Sequence, residues 1–171
     1  MEISVQGVNS LKIRGKQSAF YINPQDKTSA YNAVILIGNP DKSRLKIRED
    51  VVIIDGPGEY EAGGIKITGI KANDATVYSI TLDGLDLILG EVTALEKVHQ
   101  KIKEHHIALI YASEEQDASF ATSLATNALL FYGANARSLI DQLAKEEKKE
   151  TSRYQISSEK LPPETETILL V

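Results

Sequence analysis

Val52-Ile-Ile-Asp-Gly-Pro-Gly-Glu-Tyr-Glu-Ala-Gly-Gly-Ile-Lys-Ile-Thr-Gly-Ile70 is the stretch on which the fold turns. An apolar run, Val51 to Ile54, stops at Asp55-Gly56-Pro57-Gly58, where two glycines flanking a proline break any regular element. Glu59 to Ala62 and Ile65 to Ile70 follow as short β-type runs on either side of Gly63-Gly64, the pattern of two strands joined by a backbone turn. Upstream, Glu2 to Gly7, Ser10 to Arg14 and Ala19 to Ile22 are further short runs of strand type, punctuated by Gly7 and Gly15. Ala33 to Ile37 is continuously apolar and closed by Gly38-Asn39-Pro40-Asp41. It and Val51 to Ile54 are expected to be strands buried on both faces. Downstream, Thr76 to Leu82 and Leu85 to Leu89 follow, with hairpin turns at Asn73-Asp74 and Asp83-Gly84.

Beyond residue 90 the pattern alternates. Thr93-Ala-Leu-Glu96 reads as a capping box opening a helix to about His105, with Leu95, Val98 and Ile102 as its apolar stripe. Ile107 to Tyr111 is a strand. Ser113-Glu-Glu-Gln116 predicts a second helix through Phe120 and Leu124, and Ala128 to Tyr132 another strand. Asn135 is placed to cap a third helix, with Leu139, Ile140 and Leu143 inward and Lys145 to Glu150 as its solvated end. Tyr154 to Ser157 and Thr165 to Val171 are closing strands, while residues 24–32 and 39–50 read as loops. Many strands, then strands alternating with helices, predict an α+β or layered α/β/α class.

The chain has 171 residues, within the usual span of one domain, and carries a net charge of −5, so a single domain over 1–171 is expected. It holds no Cys, which removes disulfides, thiol nucleophiles and Cys-ligated metals. Its three His fall within one eight-residue stretch, which argues against a His-rich metal centre. The acidic balance disfavours nucleic acid and anionic membranes as partners. No apolar run approaches the roughly 20 residues that span a bilayer. Met1-Glu-Ile-Ser-Val-Gln6 lacks a charged-then-apolar export signal, and a cytoplasmic protein is expected.

Three segments carry a resemblance to a known family. Met1-Glu-Ile-Ser-Val-Gln-Gly-Val-Asn-Ser-Leu-Lys-Ile13 resembles its opening hairpin, Val52 to Ile70 is the most specific match, and Ile156-Ser-Ser-Glu-Lys-Leu-Pro-Pro-Glu-Thr-Glu-Thr-Ile168 resembles its usual ending. The family is that of small zinc-dependent hydrolases of the metallo-β-lactamase fold. The resemblance implies a four-layer αββα sandwich, here reduced in size, with a metal site at one edge of the two sheets. Family members hold one or two metals through a His-x-His-x-Asp-His loop after a buried strand, with further His and Asp from later loops, since zinc takes imidazole and carboxylate and keeps a position for water.

In this sequence the matching loop follows Ala33 to Ile37. Its ligand positions fall on Gly38, Pro40, Lys42 and Ser43, or on Asp41 after a one-residue slip. The opening Gly-His-Ser-Ser position carries Val8, the later acidic position carries Glu91, and Gly133 begins the stretch where the last His stands in the family. These positions are vestigial, and no metal, cofactor or catalytic residue is expected at them.

Other residues offer weak substitutes. His99, His105 and His106 lack the i, i+4 spacing of a helical zinc pair, and the plain reading puts His105 and His106 at a helix C-terminus. Asp55, Glu59, Glu61 and Glu91 are the carboxylates from which a site would be rebuilt. Glu59 and Glu61 share a strand face, and hard Mg²⁺ or Mn²⁺ accepts all-oxygen ligands. Gly56-Pro57-Gly58 and Gly63-Gly64 lack the Gly-Lys-Ser/Thr ending and following helix of a phosphate loop. No His lies locally beside the hydroxyls of residues 113–126, so a Ser nucleophile has no support there. Tyr60, Tyr78, Tyr111 and Tyr132 read as packing residues with a hydrogen-bonded tip.

The expectation is a metal-free, catalytically inactive relative of the fold that binds a protein or small molecule as a scaffold, with a homo-oligomer among its expected states. The alternatives are a hydrolase with a relocated Mg²⁺ or Mn²⁺ carboxylate site, and a small-molecule binder using the groove between the sheets.

Overall fold

A computed structural model describes residues 1–25, 31–44, 47, 49–143 and 148–171. Its elements are β1 (Glu2–Gly7), β2 (Ser10–Arg14), β3 (Ala19–Ile22), β4 (Ala33–Ile35), β5 (Val52–Ile54), β6 (Gly58–Ala62), β7 (Ile65–Ala72), β8 (Ala75–Leu82), β9 (Leu85–Glu91), α1 (Val92–Val98), β10 (Ile107–Tyr111), β11 (Ala128–Tyr132), α2 (Ala136–Gln142), β12 (Lys148–Thr151), β13 (Arg153–Gln155) and β14 (Glu166–Leu170). One sheet runs β13-β1-β2-β3-β4-β5, and the other runs β12-β14-β11-β10-β9-β8-β7-β6. Both are mixed: hairpins give antiparallel pairs such as β1–β2 and β7–β8, while β3, β4 and β5 of the first sheet and β9, β10, β11 and β14 of the second run parallel.

The sheets face each other across one core. Ile3, Leu11, Ile13, Phe20, Ile22, Ile35 and Ile54 of the first meet Ile65, Ile67, Ile80, Leu87, Leu89, Leu109 and Leu130 of the second. Each fully buried side chain of this kind contributes about 1.5–3 kcal/mol. The chain passes between sheets at Gly56-Pro57, from edge strand β5 to edge strand β6, at Ser152, from β12 to β13, and again between β13 and β14. A second cluster lies on the outer side of the larger sheet, where Val92, Leu95 and Val98 of α1 and Leu139 and Ile140 of α2 cover Ile88, Ile110, Leu129 and Phe131. On the outer side of the smaller sheet, Tyr21, Tyr31, Val34 and Leu36 form a third cluster backed by Ile47 and Val51. Among the described residues before β5, the one helical segment is the 3-10 turn Lys42–Arg44.

Several local expectations are corrected. β5 is an edge strand with Val52 and Ile53 exposed, so an apolar run did not imply burial on both faces. The first helix starts at Val92 with Glu91 at its cap position and ends at Val98, passing into a 3-10 turn at His99–Lys101; the Thr93 capping box is not used. The second predicted helix is only a 3-10 turn, Ser119–Ser123, because Asp117 folds back onto the Ser119 N–H and hydroxyl in a local Asx turn. Asn135 stands at the cap position of α2, yet its Nδ2 donates to the Ser113 carbonyl instead of its carbonyl oxygen serving the helix. Of the expected solvated helix end, residues 145–147 lie outside the described residues, and Lys148 to Glu150 are strand β12, paired in parallel with β14.

Candidate functional site

Three parallel strands end at one level. Their register sets Glu91 of β9 beside Tyr111 of β10 and Tyr111 beside Tyr132 of β11, a row across the C-terminal ends of the strands. Carboxyl ends of parallel strands are where open α/β sheets place their ligands. The loop after β4 faces this row from the other sheet. Asn23 fixes that loop: its Nδ2 donates to the Ile37 carbonyl at 2.9 Å and its Oδ1 accepts from the Ile37 N–H at 3.1 Å. The paired bonds extend the β3–β4 ladder by a side chain where the backbone strands part.

The next residue is Gly38, at φ +71°, and a Cβ built there would stand 2.4 Å from Cε1 of Tyr111. On the other flank, a Cβ at Gly133 (φ +108°) would lie 3.1 Å from Cδ2 of Tyr111 and 2.6 Å from the Ala112 carbonyl oxygen. Tyr111 is thus packed between two backbone positions that tolerate no side chain. Its ring meets that of Tyr132 with centroids 5.1 Å apart, a tilted aromatic pair. Tyr132 is buried, and its hydroxyl finds no hydrogen-bond partner among the described residues.

A cleft of about 360 Å³ opens beside this packing, lined chiefly by Lys42, Asp55, Asp74, Thr76, Tyr78 and Glu91. A neighbouring cavity of about 260 Å³ shares Ile37, Gly38 and Pro40 with it and adds Asn9, Asn23, Gln25, Asp41 and Tyr111. Lys42 Nζ and Asp55 Oδ2 form an exposed ion pair at 2.6 Å, a contact worth at most about 1 kcal/mol. Asp41 accepts from the Ser43 N–H and hydroxyl, and these bonds hold its carboxyl below the usual range. Burial raises Glu91 above the ordinary carboxylate value, and the Glu114 charge adds to this, while a bond from the Gly38 N–H opposes it. Burial likewise raises the Tyr111 hydroxyl, with the Glu91 charge adding to it, and takes Tyr78 up to about 12.

Since folding raises the Glu91 carboxyl, the protonated form is the one the fold favours. The stabilisation is complete below the unfolded value near 4.5 and is lost as pH rises through the raised folded value. Glu91→Gln keeps an acceptor for Gly38 and removes the charge. It is expected to melt higher than the parent at pH 7, with the difference closing on acidification; a difference that stays constant between about pH 4 and about pH 8 contradicts this.

The structure gathers some of the positions singled out in the sequence and separates others. Gly38, Pro40, Lys42, Asp55 and Glu91 line the cleft, Asp41 lines the adjoining cavity, and Gly133 touches Tyr111. Ser43 serves as Asp41's partner, and Val8 points to solvent at the β1–β2 turn, 64% exposed. Glu59 and Glu61 stand elsewhere. Glu59 pairs with Thr68, Thr68 with Ser79 and Ser79 with Ile88, whose side chain packs under the helices, whereas Leu89 and Glu91 lie on the inner face. The rebuilt carboxylate set is therefore divided between opposite faces of one sheet, and among the described residues no three His, Asp or Glu are grouped to hold a metal.

The histidines are remote from the cleft. His99 packs on Phe120 with centroids 5.5 Å apart, and His106 Nδ1 accepts from the Asp86 N–H. His105 and His106 do not end a helix, because α1 stops seven residues before His105; His105 is buried. Sequence reasoning missed Tyr111, Asn23, Asn9 and Asp74 as site residues. The one available signal, the tyrosine ending the apolar run Ile107–Tyr111, gains meaning only from the parallel register.

The sheets, their order and the placement of this loop edge define a metallo-β-lactamase fold. A structure from Thermotoga maritima described as a putative Zn-dependent hydrolase of the metallo-beta-lactamase superfamily superposes with a TM-score of 0.75 at 16% identity, over 99% of this chain and 98% of that one. A putative metal-dependent hydrolase from Parabacteroides distasonis follows with a TM-score of 0.61 at 15% identity, over 84% and 88% of the two chains. The β-hydroxylase CmlA matches with a TM-score of 0.55 at 10% identity, over 91% of this chain and 53% of its own. At these identities the likeness is one of fold. No protein-family model matches the chain, and no curated protein matches it in sequence. Among the described residues no helix is long and apolar enough to cross a membrane.

Proposed function

We propose that this chain is a metal-free relative of the metallo-β-lactamase fold that acts by binding, as a scaffold, and not by metal-activated hydrolysis. The observation that carries this reading is the Tyr111 ring wedged between Gly38 and Gly133, two loops where the family resemblance places imidazoles. The groups there are an aromatic ring, two glycines, a proline, the Lys42–Asp55 ion pair, Asp41 bonded to Ser43, Asp74 and Glu91. They offer carboxylates but no imidazole, and among the described residues no three of them are grouped, which does not fit the ligand demands of a catalytic zinc. The cleft of about 360 Å³ is the surface through which a small polar molecule or a protein segment would be held. The partner is a small molecule or a protein, a second copy of the chain included.

The protein purified without chelator is expected to carry less than about 0.1 equivalent of Zn or Mn, and excess Zn²⁺ or Mn²⁺ is expected to move its Tm by less than about 1 °C, because an ion that does not bind the native state cannot stabilise it. A stoichiometric metal, or a shift of several degrees, overturns the reading. The rival hydrolase on Asp55, Glu59, Glu61 and Glu91 has only Asp55 and Glu91 in one cleft, with Asp55 held by Lys42.

A further inference from the structure

On the outer face of the larger sheet, away from the cleft, Ser79 Oγ lies 2.8 Å from His105 Nε2. The other ring nitrogen, His105 Nδ1, lies 2.6 Å from the Lys103 carbonyl oxygen. A carbonyl oxygen only accepts, so Nδ1 carries the proton and donates it. Nε2 therefore presents its lone pair and accepts from the Ser79 hydroxyl. This is the hydrogen-bond order of an activated serine: nucleophile to base, and base to an orienting acceptor, here a backbone carbonyl in place of a carboxylate.

The surroundings suit that order. His105 is 8% exposed, and burial lowers its affinity for a proton, so the neutral form that can act as base is the one favoured. Ser79 stands mid-strand on β8 and is only partly buried. A groove of about 130 Å³ adjoins His105; Ile88, Ile102 and Leu124 give it one apolar side, Lys103 and Glu104 stand at it as well, and its size admits only a short acyl chain. Thr68 stands directly across the β7–β8 ladder from Ser79 and brings a further hydroxyl to the same face.

We infer that Ser79 and His105 form a metal-independent nucleophilic pair that accepts short acyl groups from activated esters. The Ser79 Oγ–H proton passes to His105 Nε2 as the Oγ–acyl carbon bond forms. The bond from acyl carbon to the leaving oxygen then breaks, and Nε2 returns its proton to that oxygen. Water, giving a proton to Nε2, attacks the acyl carbon, and Oγ leaves and recovers the proton, releasing the carboxylic acid. The pair lies on the face opposite the cleft, and it stands or falls independently of the reading given to Tyr111.

The test is labelling of the intact chain with a fluorophosphonate, read by peptide mass, together with release of p-nitrophenol from its acetate ester. One adduct on Ser79 is expected, absent in Ser79→Ala, with labelling and esterase rates reduced at least ~100-fold in His105→Gln, the usual contribution of a positioned base. Labelling elsewhere only, or an unchanged rate in a folded His105→Gln chain, overturns the inference and leaves the pair as a packing contact. Should His105→Gln not fold, Ser79→Cys supplies the decision. The chain has no other Cys, so iodoacetamide at neutral pH reports one thiol, expected to react at least ~10-fold faster than glutathione if an imidazole activates it. A rate at or below that of glutathione refutes the pair.

Discussion

Gly133→Ala is expected to lose about 2–5 kcal/mol of folding stability, the combined cost of a left-handed backbone and an overpacked core. The added Cβ would meet the Ala112 carbonyl oxygen at 2.6 Å, and that backbone atom, just past the end of β10 and bonded to the Asn135 N–H, cannot swing aside as a side chain does. Gly56→Ala is the control, since nothing lies within 4 Å of a Cβ there, and it is expected to be near neutral. Urea unfolding midpoints at constant slope separate the two. The same geometry bears on function. Gly38→His with Gly133→His returns imidazoles to both loops, yet the first Cβ already falls 2.4 Å from the Tyr111 ring. The double variant is expected to lose stability without gaining zinc affinity. A stable double variant that binds zinc shows that Tyr111 yields, and that the loops retain the ligand geometry the glycines hide.

Asn23→Ala is expected to cost roughly 2–4 kcal/mol, because it orphans two buried backbone groups, the N–H and the carbonyl of Ile37, at about 1–3 kcal/mol each. Asn23 also sits at φ +45°, a conformation asparagine tolerates better than alanine. Asn23→Gly removes that strain and leaves the orphaned groups, so it is expected to recover only about 1 kcal/mol of the loss. If glycine restores the parent stability, the backbone conformation and not the paired bonds was the source. Because Asn23 holds the residue before Gly38, the alanine variant is also expected to loosen Tyr111, seen as increased quenching of tyrosine fluorescence by acrylamide.

The legible parts of the fold are those set by local pattern. Ile65–Ala72, Ala75–Leu82 and Leu85–Glu91 alternate or run apolar between strong turn residues, and Asn73 and Asp83 take the positive φ their turns require, so the hairpins fall where the residues predicted. Elements that failed were those decided by competition. Asp117 draws Ser119 into a local turn and leaves too few residues for the helix expected to open at Ser113. Lys148 to Glu150 resemble a solvated helix end, yet Lys149 pairs with Glu166, Arg137 with Glu150 and Lys148 with Asp141, and the segment lies as an edge strand on β14. Ion pairs across an edge leave no mark in a linear run of charges.

The candidate site divides in the same way. That no imidazole stands at residues 38–43, 91 or 133 is a property of the chain itself, independent of any folding. What occupies the space between those loops is not. Tyr111 reaches Gly38 and Gly133 only because parallel pairing aligns the ends of β9, β10 and β11 and because the opposite sheet brings the β4 loop over them. Ser79 and His105, 26 positions apart, meet through the same tertiary pairing. Composition and spacing determine which chemical groups a chain possesses, since each residue carries its donors and charges wherever it goes; distance and burial, which convert those groups into a base, a wedge or a ligand, come from contacts between segments remote in sequence and were settled by the packing of the two sheets.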